Sequence, residues 1–198
     1  PLIPRRWCYE VPERLDHTGE VLTPLHAGAL DAVLDHIERE DIESVAVCFL
    51  YSYVNPTHER LVRERALERG LLEPWEIALS SDVLPEFREY ERASTVALEA
   101  YVRPVVSRYL RCLERELDPE RMVGLEKDVT LRIMKSDGGL MSVGRAQEGS
   151  IHTALSGPAA GVIGAFQVAR LAGYEDVISL DMGGTSTDVA LCPGGLVR

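Results

Sequence analysis

The stretch that decides the fold is VISLDMGGTSTDVALC, residues 177–192. Apolar, largely β-capable residues flank the pair Gly183-Gly184 on both sides, which predicts a strand, a tight bend and a return strand. The predicted first strand ends at an aspartate, and a second aspartate begins the return strand. The polar side chains of this hairpin are Asp181, Thr185, Ser186, Thr187 and Asp188.

This hairpin has the composition of a nucleotide phosphate loop. Glycines let backbone amides approach phosphate oxygens, hydroxyls add donors, and a carboxylate can hold hydrated Mg²⁺. One short segment therefore offers all three functions. An ordinary hairpin in which Gly183-Gly184 only makes a turn is the alternative, because turn glycines are common.

The segment before the hairpin is SGPAAGVIGA, residues 156–165. Ser156 near the N-cap and a proline in the first turn predict a helix start. Gly157, Gly161 and Gly164 then lie on one face of the helix and allow another backbone to come close. The alternative is that these glycines serve only tight packing of the helix against a sheet.

Upstream, buried strands alternate with amphipathic helices, which predicts an α/β architecture. Pro104 is expected to kink or divide the longest of these helices, since proline removes an amide donor and clashes with the preceding turn. The predicted elements are a hairpin over 11–25, helices over 29–40, 55–70 and 89–117, and strands over 44–51, 76–80 and 128–134.

A second glycine-containing turn follows the predicted strand 128–134. It comprises Ser136, Asp137, Gly138 and Gly139. Open α/β sheets usually hold ligands at strand ends, so we expect these four residues to lie in the cleft and to contact substrate. A plain turn is the alternative, because Asp-Gly-Gly is strong turn chemistry by itself.

Composition excludes several classes of protein. The net charge of −11 argues against a nucleic acid as principal partner. No apolar run approaches the roughly 20 residues of a membrane span, and the widely spaced cysteines have no zinc-site or disulfide pattern, so we expect a cytoplasmic protein with no membrane partner. After residue 150 only six of 48 residues are charged, against 47 of the first 150, and the last 61 residues hold 12 of the 16 glycines. Such a segment is either deeply buried or shaped to approach a ligand.

Together the glycine helix and the DxGG loop resemble the connecting helix and second phosphate loop of the actin-like ATPase superfamily. Within it, the sequence is most similar to the hydantoinase A and 5-oxoprolinase family, and the resemblance covers nearly the whole chain from residue 1. The matching segments are DMGGTSTDVAL (181–191), LSGPAAGV (155–162), MKSDGGLMS (134–142), AVCFLYSYVNPTHE (46–59) and SSDVLPEFREYERASTVALEAYV (80–102).

The resemblance implies a partial actin-like (ribonuclease H-like) fold, a mixed sheet flanked by helices. Members of the family have another phosphate loop before this region and an adenosine-binding region after it, so we expect a fragment that is inactive alone. The implied divisions are an N-terminal hairpin over 1–25, the rest of the first domain over 26–173, and the first phosphate-loop hairpin of a second domain over 174–198.

The resemblance also implies the reaction: ATP-dependent opening of a cyclic amide, of the hydantoin or 5-oxoproline type, by phosphorylation of the amide oxygen before hydrolysis. ATP and Mg²⁺ are the implied cofactors. A second subunit or domain of the hydantoinase B type is the implied partner.

Matched residue by residue, Asp181 would be the magnesium-associated carboxylate, and Asp188 a weaker candidate for a catalytic or metal-shell role. Nucleotide contacts would come from Gly183, Gly184, Thr185, Ser186 and Thr187. Compared with the DxGGGTxD loop of chaperone ATPases, Thr185 replaces the third glycine and Ser186 the threonine. Gly157 stands where those chaperones have a carboxylate.

Two other functions fit the same residues. Subunits of ketone carboxylases that use ATP resemble this family, and the sequence does not separate them from cyclic-amide hydrolases. The absence of the carboxylate at Gly157 suggests a third function, a nucleotide-binding module without catalysis.

Overall fold

The structure is a computed structural model that describes residues 2–117 and 130–195. The described residues contain both helices and short two-stranded sheets, which confirms the predicted α/β class. They group into two compact units. The first unit comprises Pro1–Leu113 with Gln147–Ile151, and the second comprises Glu114–Ala146 with His152–Arg198.

The first unit contains an antiparallel hairpin, a parallel pair of strands and four helices. The hairpin and the strand after Glu76 appear where they were predicted. In chain order the elements are β1 (Arg14–Leu15), β2 (Val21–Thr23), α1 (Ala27–Arg39), β3 (Val45–Val47), α2 (Thr57–Glu68), β4 (Ile77–Leu79), α3 (Ser80–Val83) and α4 (Glu89–Glu116).

The parallel strands β3 and β4 lie in the middle of this unit. Val45 is paired with Ile77 and Val47 with Leu79. Because side chains alternate along a strand, Ile77 and Leu79 pack with α1 and α2, whereas Ala78 packs with Val96 and Ala100 of α4. The unit therefore has a helix layer on each face of a central parallel pair.

Strand β3 is shorter than the predicted run 44–51. The amide of Phe49 donates to the Glu59 carboxylate (3.0 Å), and the chain then turns, with Val54 N–H bonded to the Tyr51 carbonyl (2.9 Å). Tyr51 adopts a φ of +57°. The apolar run predicted a longer strand because the run itself does not show that the Phe49 amide bonds to the Glu59 side chain and is therefore not available to a neighbouring strand.

Two helix ends show how local sequence and packing compete. Gly70 ends α2 with a φ of +64°, as its place after the helical pattern predicted. Pro104 does not divide the long helix, because α4 runs from Glu89 to Glu116 with the proline inside it. Pro104 is buried, and the packing of this helix outweighs the cost of roughly 3 kcal/mol that proline brings to a helix interior.

The second unit contains two hairpins and a helix between them. Its elements are β5 (Arg132–Met134), β6 (Leu140–Ser142), α6 (Ser156–Leu171), β7 (Val177–Met182) and β8 (Thr187–Cys192); α5 (Val143–Glu148) spans the boundary between the units. Residues 128 and 129, where strand β5 was predicted to begin, lie outside the described residues.

Two other features of the described residues bear on function. An apolar cavity of about 790 Å³ in the first unit is lined by residues of the N-terminal segment, α1, β3 and α4. None of the helices within 2–117 and 130–195 combines the length and the apolar character needed to cross a membrane.

Candidate functional site

Hairpin β7–β8 forms as the sequence predicts and brings its two aspartates together. Asp181 and Asp188 are direct cross-strand partners, and both are exposed. Cross-strand partners lie on one face of a sheet, with their Cβ atoms about 4.5–5.5 Å apart. Two carboxylates therefore project from neighbouring positions on the same face of the hairpin.

Helix α6 faces these aspartates at Gly161, whereas a Cβ added at Gly157 or Gly164 would meet no other described part of the chain within 4 Å. A Cβ placed on Gly161 would lie 3.6 Å from Asp181 Oδ2. Between the helix and the hairpin is a cavity of about 210 Å³, lined on the helix side by Pro158, Gly161, Val162 and Ala165. Asp181 and Asp188 line its hairpin side. The small side chains of α6 thus leave space in front of the acids.

The bend between the strands is closed by one hydrogen bond, from the Gly183 amide to the Ser186 carbonyl (3.0 Å). All residues of the bend are exposed. The amide of Gly183 is thus used inside the loop, whereas the resemblance implies that it faces a phosphate together with the amides of Gly184 and Thr185.

The size of the cavity and the two carboxylates that line it suit a metal ion better than a whole nucleotide. Sites for small organic molecules span roughly 300–1,000 Å³, which is more than this cavity offers. In the described parts of the chain no group of three or more His, Cys, Asp or Glu side chains converges on a metal position. Mg²⁺ commonly takes one or two carboxylates and completes its shell with water and phosphate oxygens, so the pair Asp181 and Asp188 fits it.

The predicted substrate segment, Ser136, Asp137, Gly138 and Gly139, forms the turn of hairpin β5–β6. Lys135 N–H is bonded to the Gly139 carbonyl (2.8 Å), and Gly139 N–H to Asp137 Oδ1 (2.8 Å). Gly138 has a φ of +82°, and a Cβ there would lie 2.7 Å from Ile163 Cδ1 on α6. Ser136 is held by its amide, which donates to the His152 carbonyl (2.8 Å).

The Asp137 carboxylate is held in its charged form. Lys135 Nζ donates to Asp137 Oδ2 at 2.6 Å, and this hydrogen bond, with that from the Gly139 amide, lowers the pKa of Asp137 below its ordinary value of 3.8. The side chain is exposed. Asp137 therefore carries a negative charge at neutral pH while it stabilises its own turn.

The predicted phosphate hairpin and the predicted substrate turn thus both lie against helix α6, each at a different residue of that helix. Asp181 lies against Gly161 of α6, and Gly138 contacts Ile163 of the same helix. The cavity at Asp181 is lined by α6, β7 and β8, without any residue of the 136–139 turn. A substrate role for that turn stays a prediction.

Sequence reasoning missed the buried polar residues of the first unit. Glu59, Arg92, Glu99 and Arg103 are all buried on helices that are otherwise amphipathic. The spacing i, i+4 of Glu99 and Arg103 was the available signal, but exposed helix pairs have the same spacing. Their burial depends on which face of each helix packs, and this follows from tertiary structure.

Comparison with known proteins places these elements in a family. A family model described as hydantoinase/oxoprolinase matches residues 92–197. A second model, described as the N-terminal region of hydantoinase/oxoprolinase, matches residues 1–70. Both units of the chain are therefore represented in the match.

Three curated relatives are named for different activities. Caprolactamase subunit alpha of Pseudomonas jessenii is 32% identical and is matched over 98% of this chain and 27% of its own length. The acetone carboxylase beta subunit of Xanthobacter autotrophicus is 36% identical over 98% of this chain and 26% of its own length. The 5-oxoprolinase of Saccharomyces cerevisiae is 36% identical over 80% of this chain and 12% of its own length. The chain thus spans about a quarter or less of each of these relatives.

Two solved structures share the fold. A nucleotide-free acetone carboxylase, described as catalysing ATP-dependent acetone carboxylation, matches with a TM-score of 0.84 at 31% identity, over 98% of this chain and 27% of that one. The ATP-dependent caprolactamase of Pseudomonas jessenii matches with a TM-score of 0.78 at 29% identity, over 96% and 26%. The predicted resemblance is confirmed: the chain belongs to the hydantoinase/oxoprolinase family.

Proposed function

We propose that this chain carries the magnesium and phosphate site of a longer ATP-dependent enzyme that opens a cyclic amide. The observation that supports the proposal most directly is the paired position of Asp181 and Asp188 beside the cavity under α6. A Gly-Gly bend adjoins the same face. Two acids, free space and a glycine-containing bend are the parts that such a site needs.

Each part of this site has a separate task in the proposal. Asp181 holds Mg²⁺, directly or through water, and Asp188 adds a second acceptor to the same ion. The amides of Gly184 and Thr185, with the hydroxyls of Thr185, Ser186 and Thr187, bind phosphate oxygens, while the Gly183 amide keeps the bend closed. Gly161 keeps the space in front of Asp181 free of side-chain atoms.

An unstrained amide reacts slowly with water, and ATP bound at this site would supply the activation. ATP supplies the phosphoryl group that activates the amide oxygen and so makes the carbonyl carbon a better target for water. The residues of this chain contribute by positioning and by electrostatic stabilisation, which account for most of the catalysis in phosphoryl transfer.

A ketone carboxylase is the second candidate. The acetone carboxylase structure resembles this chain with a TM-score of 0.84, and its beta subunit is 36% identical. In such an enzyme the same phosphate site would serve activation of a ketone or of bicarbonate. The relatives named as subunits also support the proposal that the full-length protein works with a partner subunit.

Phosphate release from the full-length protein with its partner subunit separates the two functions. The substrates to compare are 5-oxoproline, a hydantoin, and acetone with and without bicarbonate. We expect phosphate release that requires a cyclic amide and is unchanged by added bicarbonate. Release that requires acetone and bicarbonate together would favour the carboxylase, and ATP binding without turnover of any substrate would favour a non-catalytic module.

A further inference from the structure

The carboxyl ends of the parallel strands β3 and β4 are joined by a buried carboxylate. Glu59 on α2 is fully buried. It accepts hydrogen bonds from the Phe49 amide (3.0 Å), the Ser80 hydroxyl (2.6 Å) and the Ser81 amide (2.9 Å). Phe49 lies just beyond β3, and the two serines directly follow β4. The three donors satisfy Glu59, so its charge is accommodated in the network.

Arg92 on α4 completes this network but is itself incompletely bonded. The residue is fully buried, its Nη2 donates to the Phe49 carbonyl (2.6 Å), and its guanidinium lies over the Tyr53 ring with 5.3 Å between Cζ and the ring centroid. Within residues 2–117 and 130–195, no hydrogen-bond partner is found for Nε or Nη1, and both atoms are buried. Buried polar groups are normally paired, and an unpaired charged donor is especially costly.

A second residue with an unpartnered donor is bonded to the same network. The Ser81 hydroxyl is buried and has no partner among the described residues, although the Ser81 amide is bonded to Glu59. A chain of hydrogen bonds runs from Ser81 through Glu59 and Phe49 to Arg92. The two residues with unpartnered donors therefore belong to one network outside the carboxyl ends of two parallel strands, which is where open α/β sheets bind ligands.

We propose that Arg92 and the Ser81 hydroxyl bind the carboxylate of a small ligand. The planar guanidinium matches a carboxylate, and a hydroxyl donor suits the same group. The network already contains the negative charge of Glu59, so a monoanion meets less repulsion here than a doubly charged phosphate. Tyr53 is half-buried and its ring lies over the guanidinium, so the proposal requires this ring to move when the ligand binds.

This proposal rests on the proposed function only where it identifies the molecule that carries the carboxylate. It can be free in solution or attached to the cyclic amide that the enzyme opens. The binding of a free carboxylate needs neither ATP nor turnover. A binding measurement therefore tests this site independently of the magnesium site at Asp181.

The first experiment is calorimetric titration of the full-length protein with acetate at constant ionic strength, with inorganic phosphate as comparator. Arg92→Gln should weaken acetate binding about tenfold or more, as expected for loss of a charge-assisted contact. Ser81→Ala should weaken it less. The control is Arg88→Gln, one helical turn away, where the exposed arginine pairs with Glu91 (3.6 Å) and acetate affinity should not change.

The second experiment identifies the source of the carboxylate. Steady-state KM is measured for 5-oxoproline and for 2-pyrrolidinone, the same ring without a carboxylate. If the ring carries the carboxylate, Arg92→Gln raises KM for 5-oxoproline only; if the carboxylate is free, both KM values stay unchanged while acetate binding is lost.

Some results would overturn the proposal. They are undetectable acetate binding to the wild-type protein, equal acetate affinity in folded Arg92→Gln and wild type, or phosphate binding that Arg92→Gln weakens more than it weakens acetate binding. If Arg92→Gln does not fold, acetate affinity is measured for Ser81→Ala and Arg92→Lys. Unchanged affinity in both variants would contradict the proposal and assign Arg92 a purely structural role at Phe49.

Discussion

Gly161 is the residue whose lack of a side chain matters most to the proposed magnesium site. A Cβ at this position lies 3.6 Å from Asp181 Oδ2, which is an ordinary contact distance. We therefore expect Gly161→Ala to retain near-normal activity in the full-length enzyme. Gly161→Val places branched methyl groups against Asp181, and because displacement of a reacting group by about 1 Å can cost about 100-fold, it should lower kcat markedly.

The comparison of the two variants is the test of this role. Both replace glycine within a helix, where a side chain favours the helical conformation. Magnesium titrations of kcat for Gly161→Ala and Gly161→Val give the result. Equal activity of the two variants would show that the space beside Asp181 is not needed.

Asp137 gives a prediction on pH. Its pKa lies below the ordinary 3.8 because Lys135 Nζ and the Gly139 amide donate to its charged form. A lowered folded-state pKa favours the folded turn above the unfolded pKa, and this contribution is lost as pH falls through the folded pKa. We expect Lys135→Met to move the pKa of Asp137 upward toward 3.8, as measured by ¹³C NMR of the labelled carboxyl group, with Arg132→Gln as control. An unchanged pKa in Lys135→Met would contradict the assigned cause.

At the scale of elements, the buried pair Glu99 and Arg103 holds a separate segment of the chain on α4. Arg103 Nε lies 2.6 Å from Glu99 Oε1, and Arg103 also donates to the carbonyls of Ile77 and Glu148. The Glu99 carboxylate accepts the amides of Ser150 (3.0 Å) and Ile151 (2.6 Å). Removal of one partner of a buried ion pair typically lowers the free energy of unfolding by about 3–5 kcal/mol.

We expect Glu99→Gln to expose these amides. Local opening of a segment speeds hydrogen exchange at its amides. Exchange at Ser150 and Ile151 should become at least about tenfold faster, given the size of the lost stabilisation. Exchange mass spectrometry of the full-length protein measures this, with Glu91→Gln on the exposed side of α4 as control. Unaltered protection in Glu99→Gln would mean that other contacts hold the segment.

The elements themselves were largely predictable from sequence, because they depend on local patterns. The hairpin around Gly183-Gly184 follows from turn chemistry between two apolar runs, and α1 follows from the spacing of Leu30, Leu34 and Ile37. The length of strand β3 was not predicted correctly, and Pro104 does not divide α4, although the bounds of this helix lie within one residue of the predicted 89–117. In both, a tertiary contact decided the outcome: Glu59 takes the amide after β3, and the packing of α4 overrides the proline.

The candidate site was only partly predictable for the same reason. The pairing of Asp181 with Asp188 depends on a short hairpin, so its register follows from local sequence. The approach of Gly161 to Asp181 and the buried Arg92 depend on segments that are distant along the chain. No local pattern reveals such contacts.

At the scale of the whole molecule, the activity should require more than these 198 residues. The chain spans 26–27% of the length of its caprolactamase and acetone carboxylase relatives, and the cavity at Asp181 is smaller than the roughly 300–1,000 Å³ of sites for small organic molecules. We expect the purified chain to show no ATP turnover in the presence of Mg²⁺. Turnover that Asp181→Ala abolishes would contradict this expectation.

The central claim is that Asp181 holds magnesium beside the phosphates of ATP. The most direct test is kcat, as a function of Mg²⁺ concentration, for the full-length enzyme with Asp181→Asn, and with Glu175→Gln, an exposed position just before β7, as control. We predict a loss of about 100- to 1,000-fold in kcat for Asp181→Asn, comparable to removal of one preorganised stabilising group, and no loss for Glu175→Gln. Wild-type kcat and magnesium dependence in Asp181→Asn would contradict the account.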